Sequence, residues 1–346
     1  MQSTTMRHHS VLVEYNSQQA TSKSPKYGNG QFTCTLNNTN NLTHSIKVTP
    51  HKTIIPNVFN NVNEYNNYVE FVWFDPVNNL PEPAGKQNKT VVTALGGQTL
   101  GNMNIPIGFY TLQGVMTAFN DAYAAATFDA PLAAMKGGLT AAIATSNTVD
   151  KKVSLSLSAG TGGADWDPAP LYSSLSPGAD AGFAIRASRD FFELMGWTNM
   201  IYQKDAAGMC YIWLSWLNAP VLTTYPWLNV NSQISANTKI TQIPRVGGEH
   251  VVHIAIGEAA PGNMVCSDSK SRDILLTCSM HDVPYGQFMA FEAKDLYVDD
   301  IDYKTVTNLH QAQISLLDHK FRVLTVPENY PVSIILKVFH NDTHTM

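Results

Sequence analysis

Near the end of the chain, Val332, Ile334, Leu336 and Val338 alternate with Ser333, Ile335, Lys337 and Phe339. A period of two sends successive side chains to opposite faces of a strand, and here both faces carry apolar groups, so an interior strand is expected. Similar short runs, bounded by Asn, Gly and Pro clusters, recur along the sequence. They predict strands at Ser10–Tyr15, Gln31–Leu36, Ser45–Ile55, Tyr68–Phe74, Thr90–Leu95, Lys152–Ala159, Met209–Leu217, His250–Gly257, Ile274–Ser279, Ala312–Leu317 and Val332–His340. This pattern confines the chain to an all-β architecture with many connections. The Asn-rich stretch over residues 57–67 reads as a loop, because Asn favours turns and left-handed positions.

Two helices interrupt the strands. Over Thr111–Ala126, Leu112, Val115, Met116, Phe119 and Tyr123 share one face, and Thr111 is positioned to cap it. That face needs a sheet or barrel end to cover it and is expected to close one side of a sandwich. The second helix, Arg189–Met195, has Ser188 as its cap and Gly196 as its stop, with Phe192, Met195 and Trp197 expected inside. Between them, Pro131–Ser146 is rich in Ala and Gly, and Ala159–Ala181 in Gly, Pro and Ser, so both read as inserted loops. No repeat of fixed period is present.

Composition narrows the function. Only 14% of the 346 residues are charged and the net charge is −5, against about 25% charged in an average globular protein. A duplex or single strand of nucleic acid needs a dense Lys/Arg field, so nucleic-acid binding is not expected. No window approaches the roughly 18 apolar residues of a membrane span, and Met1–Ser10 has no apolar stretch suited to a signal peptide. A neutral polar surface suits burial against other protein subunits, since amides find partners more cheaply than charges do.

Chemistry-bearing patterns are sparse. Ser267 and Lys270 fit a Ser-x-x-Lys spacing but sit in a polar run without a following helix; Asp165 and Asp167 flank Trp166 in a turn-forming Gly/Pro context. Asp299, Asp300 and Asp302 lack the Gly and terminal Glu of a calcium loop, and His250 and His253 point to opposite faces of a strand. His340 and His344 would meet only if the C-terminus curled. Cys34, Cys210, Cys266 and Cys278 have no ligand spacing and read as buried or incidental thiols. No enzymatic activity, metal or cofactor is expected. Candidate interface residues are Trp166, within the small-residue segment Pro131–Pro177, and the aromatic group Trp213, Trp216, Tyr225 and Trp227.

The order of elements carries a resemblance. Val11-Leu-Val-Glu-Tyr-Asn-Ser leads to Gln31-Phe-Thr, then to Ile46-Lys-Val and Ile54-Ile-Pro-Asn-Val-Phe-Asn-Asn-Val. Ile105-Pro-Ile-Gly-Phe-Tyr-Thr opens the first helix; Phe191-Phe-Glu-Leu-Met-Gly-Trp, Tyr211-Ile-Trp-Leu-Ser and Gln242-Ile-Pro-Arg-Val follow, before Val306 to Asp318 and the closing strand. This order resembles the penton and minor capsid proteins of the polinton, virophage and adintovirus group of double-stranded DNA viruses. The resemblance implies a single jelly-roll β-sandwich with long insertions and two short helices. It makes residues 28–346 a jelly-roll domain with inserted loops and helices around 105–245, after an N-terminal arm at 1–27 whose polar composition and single short apolar run, Val11–Tyr15, leave it to be ordered mainly by neighbouring subunits. It further implies a homo-oligomer, a pentamer at five-fold vertices, docked to the major capsid protein and other minor capsid proteins in the virion and assembled inside the host cell. The segment Leu132–Ser174 is longer than that pattern, and no Arg-Gly-Asp motif occurs. Other readings of the same residues are a carbohydrate-binding jelly roll, with Trp166 and Trp227 as stacking platforms, and a trimeric vertex spike.

Overall fold

A computed structural model describes residues 8–36, 45–74, 99–127, 139–143, 152–157, 182–201, 203–216, 233–234, 242–257, 264–265, 271–292, 301–307, 309 and 311–341. In chain order the first strands are β1 (His8–Asn16), β2 (Ser22–Ser24), β3 (Gly28–Thr35), β4 (Ser45–Pro56), β5 (Tyr68–Phe74) and β6 (Thr99–Asn104), followed by helix α1 (Leu112–Ala125). Next come β7 (Leu139–Ile143), β8 (Val153–Leu157), β9 (Gly182–Ala187), helix α2 (Arg189–Met195), β10 (Gln203–Lys204), β11 (Cys210–Trp216) and β12 (Gln233–Ile234). The chain continues with β13 (Val251–Ile256), β14 (Met264–Val265), β15 (Ser271–Arg272), β16 (Ile274–Ser279), β17 (Phe288–Glu292), β18 (Ile301–Thr307), β19 (Gln311–Leu317) and β20 (Ser333–Asn341). It forms two compact units, Met1–Phe59 with Glu249–Met346, and Asn60–Gly248.

In the first unit the strands pair as a ribbon folded back on itself. β1 pairs with β20, β3 with β19, β4 with β17 and β18, and β13 with β16, all antiparallel. The ribbon then rolls up, joining β20 to β4 and β19 to β13. Two sheets result, β1-β20-β4-β17 with β18 also on β4, and β16-β13-β19-β3-β2. Nested pairing of this kind, with two Greek keys in two sheets, is a jelly roll, as the resemblance implied.

Strand alternation fills the space between these sheets. β13 buries Val252, Ile254 and Ile256, β19 buries Ala312, Ile314 and Leu316, and β20 buries Ile334, Leu336 and Val338. Tyr15 is fully buried among them, and its hydroxyl donates to the Leu309 carbonyl at 2.6 Å, which satisfies the one polar atom its ring brings inside. β20 lies between β1 and β4, the interior place its two-sided apolar pattern predicts.

His8–Asn16 is a full-length member of the first sheet and β2 of the second, so both precede the boundary placed at residue 27. Val13 and Tyr15 supply the reason: these two inward side chains are enough to anchor a strand already matched residue for residue by β20. The chain leaves the first compact unit after Phe59 and re-enters it at Glu249.

The inserted unit has its own sheet, β10-β11-β9-β5-β6, a smaller one, β12-β8-β7, and its own core. The Thr111 hydroxyl accepts the Gly114 N–H at 3.1 Å to start α1; the Ser188 hydroxyl accepts the Phe191 N–H at 3.2 Å to start α2. Gly196 ends α2 in the left-handed region at φ 75°, where a Cβ would stand 2.3 Å from the Gln242 carbonyl oxygen. Val115, Met116, Phe119 and Tyr123 of α1 pack with Phe191, Phe192, Met195 and Trp197. The helix expected to close the jelly-roll sandwich therefore belongs to the core of the insertion. Its apolar stripe is covered by Phe191, Phe192 and Trp197, which the chain brings back from the second helix and the turn after it.

Candidate assembly surfaces

Clustered apolar side chains and unblunted sheet edges left in water are where a subunit can meet another protein. In the jelly roll, β1 pairs with β20 alone among the described residues, through nine consecutive residue pairs without a bulge. It carries no Pro or Lys to blunt that edge, and Leu12 at its centre is 57% exposed. A second surface lies at the start of β17, where Phe288 and Tyr285 are exposed and the Phe288 and Tyr330 rings stand 6.1 Å apart. The Tyr330 loop is fixed from beneath: the fully buried Asn29 side-chain amide donates to the carbonyls of Glu328 and Tyr330 at 3.0 and 2.8 Å.

In the insertion, Ile107 and Phe109 are exposed on the turn before α1, and Ile243 is 68% exposed on the returning segment. Both segments are held by Asn61. Its carbonyl oxygen accepts the Tyr110 N–H at 2.9 Å, and its amide donates to the carbonyls of Tyr110 at 2.7 Å and Val246 at 2.8 Å. The Asn-rich loop is thus a bonded scaffold as well as a connection: Asn66 is buried, accepts from the Asn63 N–H and donates to the Asn61 carbonyl.

Among the described residues, the larger sheet of the insertion carries a charged row. Glu70 on β5, Arg186 on β9 and Tyr211 on β11 stand side by side, since Glu70 pairs with Arg186 and Arg186 with Tyr211. The Arg186 guanidinium donates to Glu70 and, at 2.8–2.9 Å, to Asp205 in the turn between β10 and β11. Burial pushes the Asp205 carboxyl up, but the hydrogen bond from Arg186, the Met209 N–H and the Arg186 charge together hold it below the ordinary range. Burial, with the Asp205 contact, pushes the Tyr211 hydroxyl up to about 12. This row is an internal brace with its charges paired.

The sequence-predicted interface residues are only partly in view. Trp213 and Trp216 lie on β11, with backbone partners Ala184 and Gly182 on β9. Trp166, Tyr225 and Trp227 lie outside the described residues, as do Asp165, Asp167, Ser267, Lys270, Asp299, Asp300, His344 and Cys266. Cys34, Cys210 and Cys278 are buried free thiols whose ionisation burial pushes up, which suppresses thiolate chemistry. Leu12, Tyr285, Phe288, Ile107, Phe109 and Ile243 were not singled out by periodicity. An exposed and a buried apolar residue read alike until the pairing partners are known.

Folding also gathers Glu249, Asp318 and His319, whose ligand atoms lie within 4.8 Å of one another. Their donors are already committed. One Asp318 oxygen accepts the Lys320 and Arg322 N–H groups at 2.8 Å, the other accepts the Arg322 guanidinium at 2.7 Å, and Glu249 holds His319 Nδ1 at 3.0 Å. A cation there would face the guanidinium, so this group is a turn clasp rather than a metal centre. His250 and His253 are not brought together: His250 meets the His281 ring edge-on at 5.6 Å, and His253 stacks on Phe321.

A single jelly roll interrupted between its third and fourth ribbon strands by a separately cored insertion is the class of protein this chain defines. No family model matches the sequence, and no curated protein matches it. Similar solved structures include the crystal structure of the mavirus penton protein, at 10% identity and a TM-score of 0.37, over 96% of this chain and 99% of that one. Another is the cryo-electron-microscopy structure of the Sputnik virophage, at 14% identity and a TM-score of 0.34, over 97% of this chain and 99% of that one.

Proposed function

We propose that this chain is a structural virion protein, a penton or minor capsid subunit of an icosahedral double-stranded DNA virus. The observation that carries the reading is the nested strand pairing of the jelly roll, an architecture that viral capsid domains use. The weakly charged surface agrees with it, because neutral polar flanks desolvate cheaply when subunits meet. The order of sequence elements that resembles the penton group runs through both units. On this reading the protein acts by assembly and has no catalytic role. It forms homopentamers at the five-fold vertices, docks to the major capsid protein, and is incorporated into the virion inside the host cell. Trp166, Trp213, Trp216, Tyr225 and Trp227 remain candidate anchors, joined by the exposed Leu12 and Phe288 surfaces.

Native mass spectrometry of the purified protein tests this. A species of five times the 38.0 kDa chain mass is expected. A trimer would replace the penton with a spike, and a monomer that binds a glycan array would replace the capsid role altogether.

A further inference from the structure

We propose that the Asp318–Arg322 turn is an acid-sensitive latch, seated on the neutral imidazole of His253 and released when that ring takes up a proton. The inference does not depend on the capsid reading. His253 points away from the core face of β13, since Val252, Ile254 and Ile256 take the core side, yet it is only 7% exposed. Phe321 covers it, with the two rings stacked 18° from parallel and their centroids 4.7 Å apart. His253 Nδ1 lies 2.8 Å from the Thr277 hydroxyl of β16, which fixes the plane on which Phe321 rests.

The turn itself is held under tension. Phe321, at φ 60°, is the one positive-φ residue other than glycine among the described residues. A bulky residue in that region costs on the order of 1–3 kcal/mol and persists only where surrounding contacts over-determine it. Those contacts are the Phe321 N–H to the Asp318 carbonyl at 2.9 Å, the Asp318 N–H to the Arg322 carbonyl at 2.8 Å, the Asp318 carboxylate clasp, and the stack on His253.

The groups that bear on the His253 charge come from each neighbouring segment. Asp318 and Glu249 favour a proton there and His319 opposes it; Lys320 and Arg322 are further cations of the turn, and β16 presents the neutral Thr277. Burial outweighs the two carboxylates and lowers the proton affinity of the ring. The opened turn, with His253 in water, then binds a proton more tightly than the closed turn. Closure is therefore fully favoured above the ordinary histidine range, near about 6.5, and weakens as pH falls through it.

Amide hydrogen exchange of the full chain, corrected for intrinsic rates, tests the latch between pH 7.5 and 5. Protection over residues 319–323 is expected to fall by up to about tenfold per pH unit below 6.5, while that of β4 and β20 stays level. The fall is expected to vanish in His253→Phe and to persist in His319→Gln. Protection that ignores pH, or a fall that survives His253→Phe, overturns the proposal. NMR titration of the His253 ring in the unaltered protein gives an independent reading: an apparent pKa at or above that of a free histidine overturns it even if the variants fail to fold.

Discussion

At the scale of single residues, this chain uses asparagine where others use charge. Asn61 satisfies both backbone polar groups of Tyr110 and the carbonyl of Val246 with one buried side chain, so three segments distant in sequence meet on one amide. A carboxamide suits the task because it accepts and donates without carrying charge into the interior. Asn61→Ala strands the Tyr110 N–H and two carbonyls, and is expected to destabilise the inserted unit by about 3 kcal/mol in urea titrations. Asn61→Asp keeps the shape but turns an anion toward two carbonyl oxygens. Its deficit is expected to match or exceed that of Ala at pH 7 and to shrink as acid protonates the carboxyl. Equal stability of Asn61→Asp and the unaltered protein at neutral pH would remove Asn61 from this role.

At the scale of elements, the row Glu70, Arg186 and Tyr211 shows how a neutral sheet tolerates one guanidinium. The side chain of Arg186 is 21% exposed, so its charge requires the two carboxylates that clamp it. The sign of the resulting pH dependence follows from Asp205. Its carboxyl titrates lower folded than unfolded, so its contribution is complete above an unfolded value of about 3.9 and is lost as pH falls through the folded one. Asp205→Asn is expected to cost about 1–3 kcal/mol at pH 7 and to flatten the acid limb of the stability profile below pH 4. An unchanged acid limb would place the acid sensitivity elsewhere. This brace was not legible in the sequence, because Glu70, Arg186, Asp205 and Tyr211 become neighbours only through strand register. β9 itself was missed for a related reason: its six residues, Gly182–Ala187, follow directly on the Gly/Pro/Ser-rich stretch Ala159–Ala181 and carry only two large apolar side chains, Phe183 and Ile185, too short a pattern to read without its partner strands. β17 was hidden because Phe288 and Ala290 are exposed and only Phe291 is buried. The helices, by contrast, were legible to the capping residue, since Thr111, Ser188 and Gly196 act locally and need no partner strand.

At the scale of the whole molecule, each unit has a core sufficient to itself. The jelly roll draws its buried residues from Val13 to Val338 on either side of the insertion, whereas the insertion draws its own from Val62 to Ile212. Asn61 and Val246, near the two ends of the inserted unit, are bonded at 2.8 Å, so the chain enters and leaves that unit at one place. An insertion with adjoining ends imposes little on its host, because a short link closes the gap at a modest entropic cost. Two shortened proteins test this. Residues 60–248 expressed alone are expected to fold cooperatively, with near-ultraviolet circular dichroism from the packed Phe119, Phe191 and Trp197 cluster. The remaining chain, with residues 60–248 replaced by a short Gly/Ser link between Phe59 and Glu249, is expected to keep the β-rich spectrum of a jelly roll and a single unfolding transition. If only the excised insertion folded, the jelly roll would depend on its guest, and the nested pairing of β4 with β17 and β13 with β16 would need the insertion to hold its ribbon together. If neither piece folded, the two cores would be one cooperative unit despite their separate side-chain clusters.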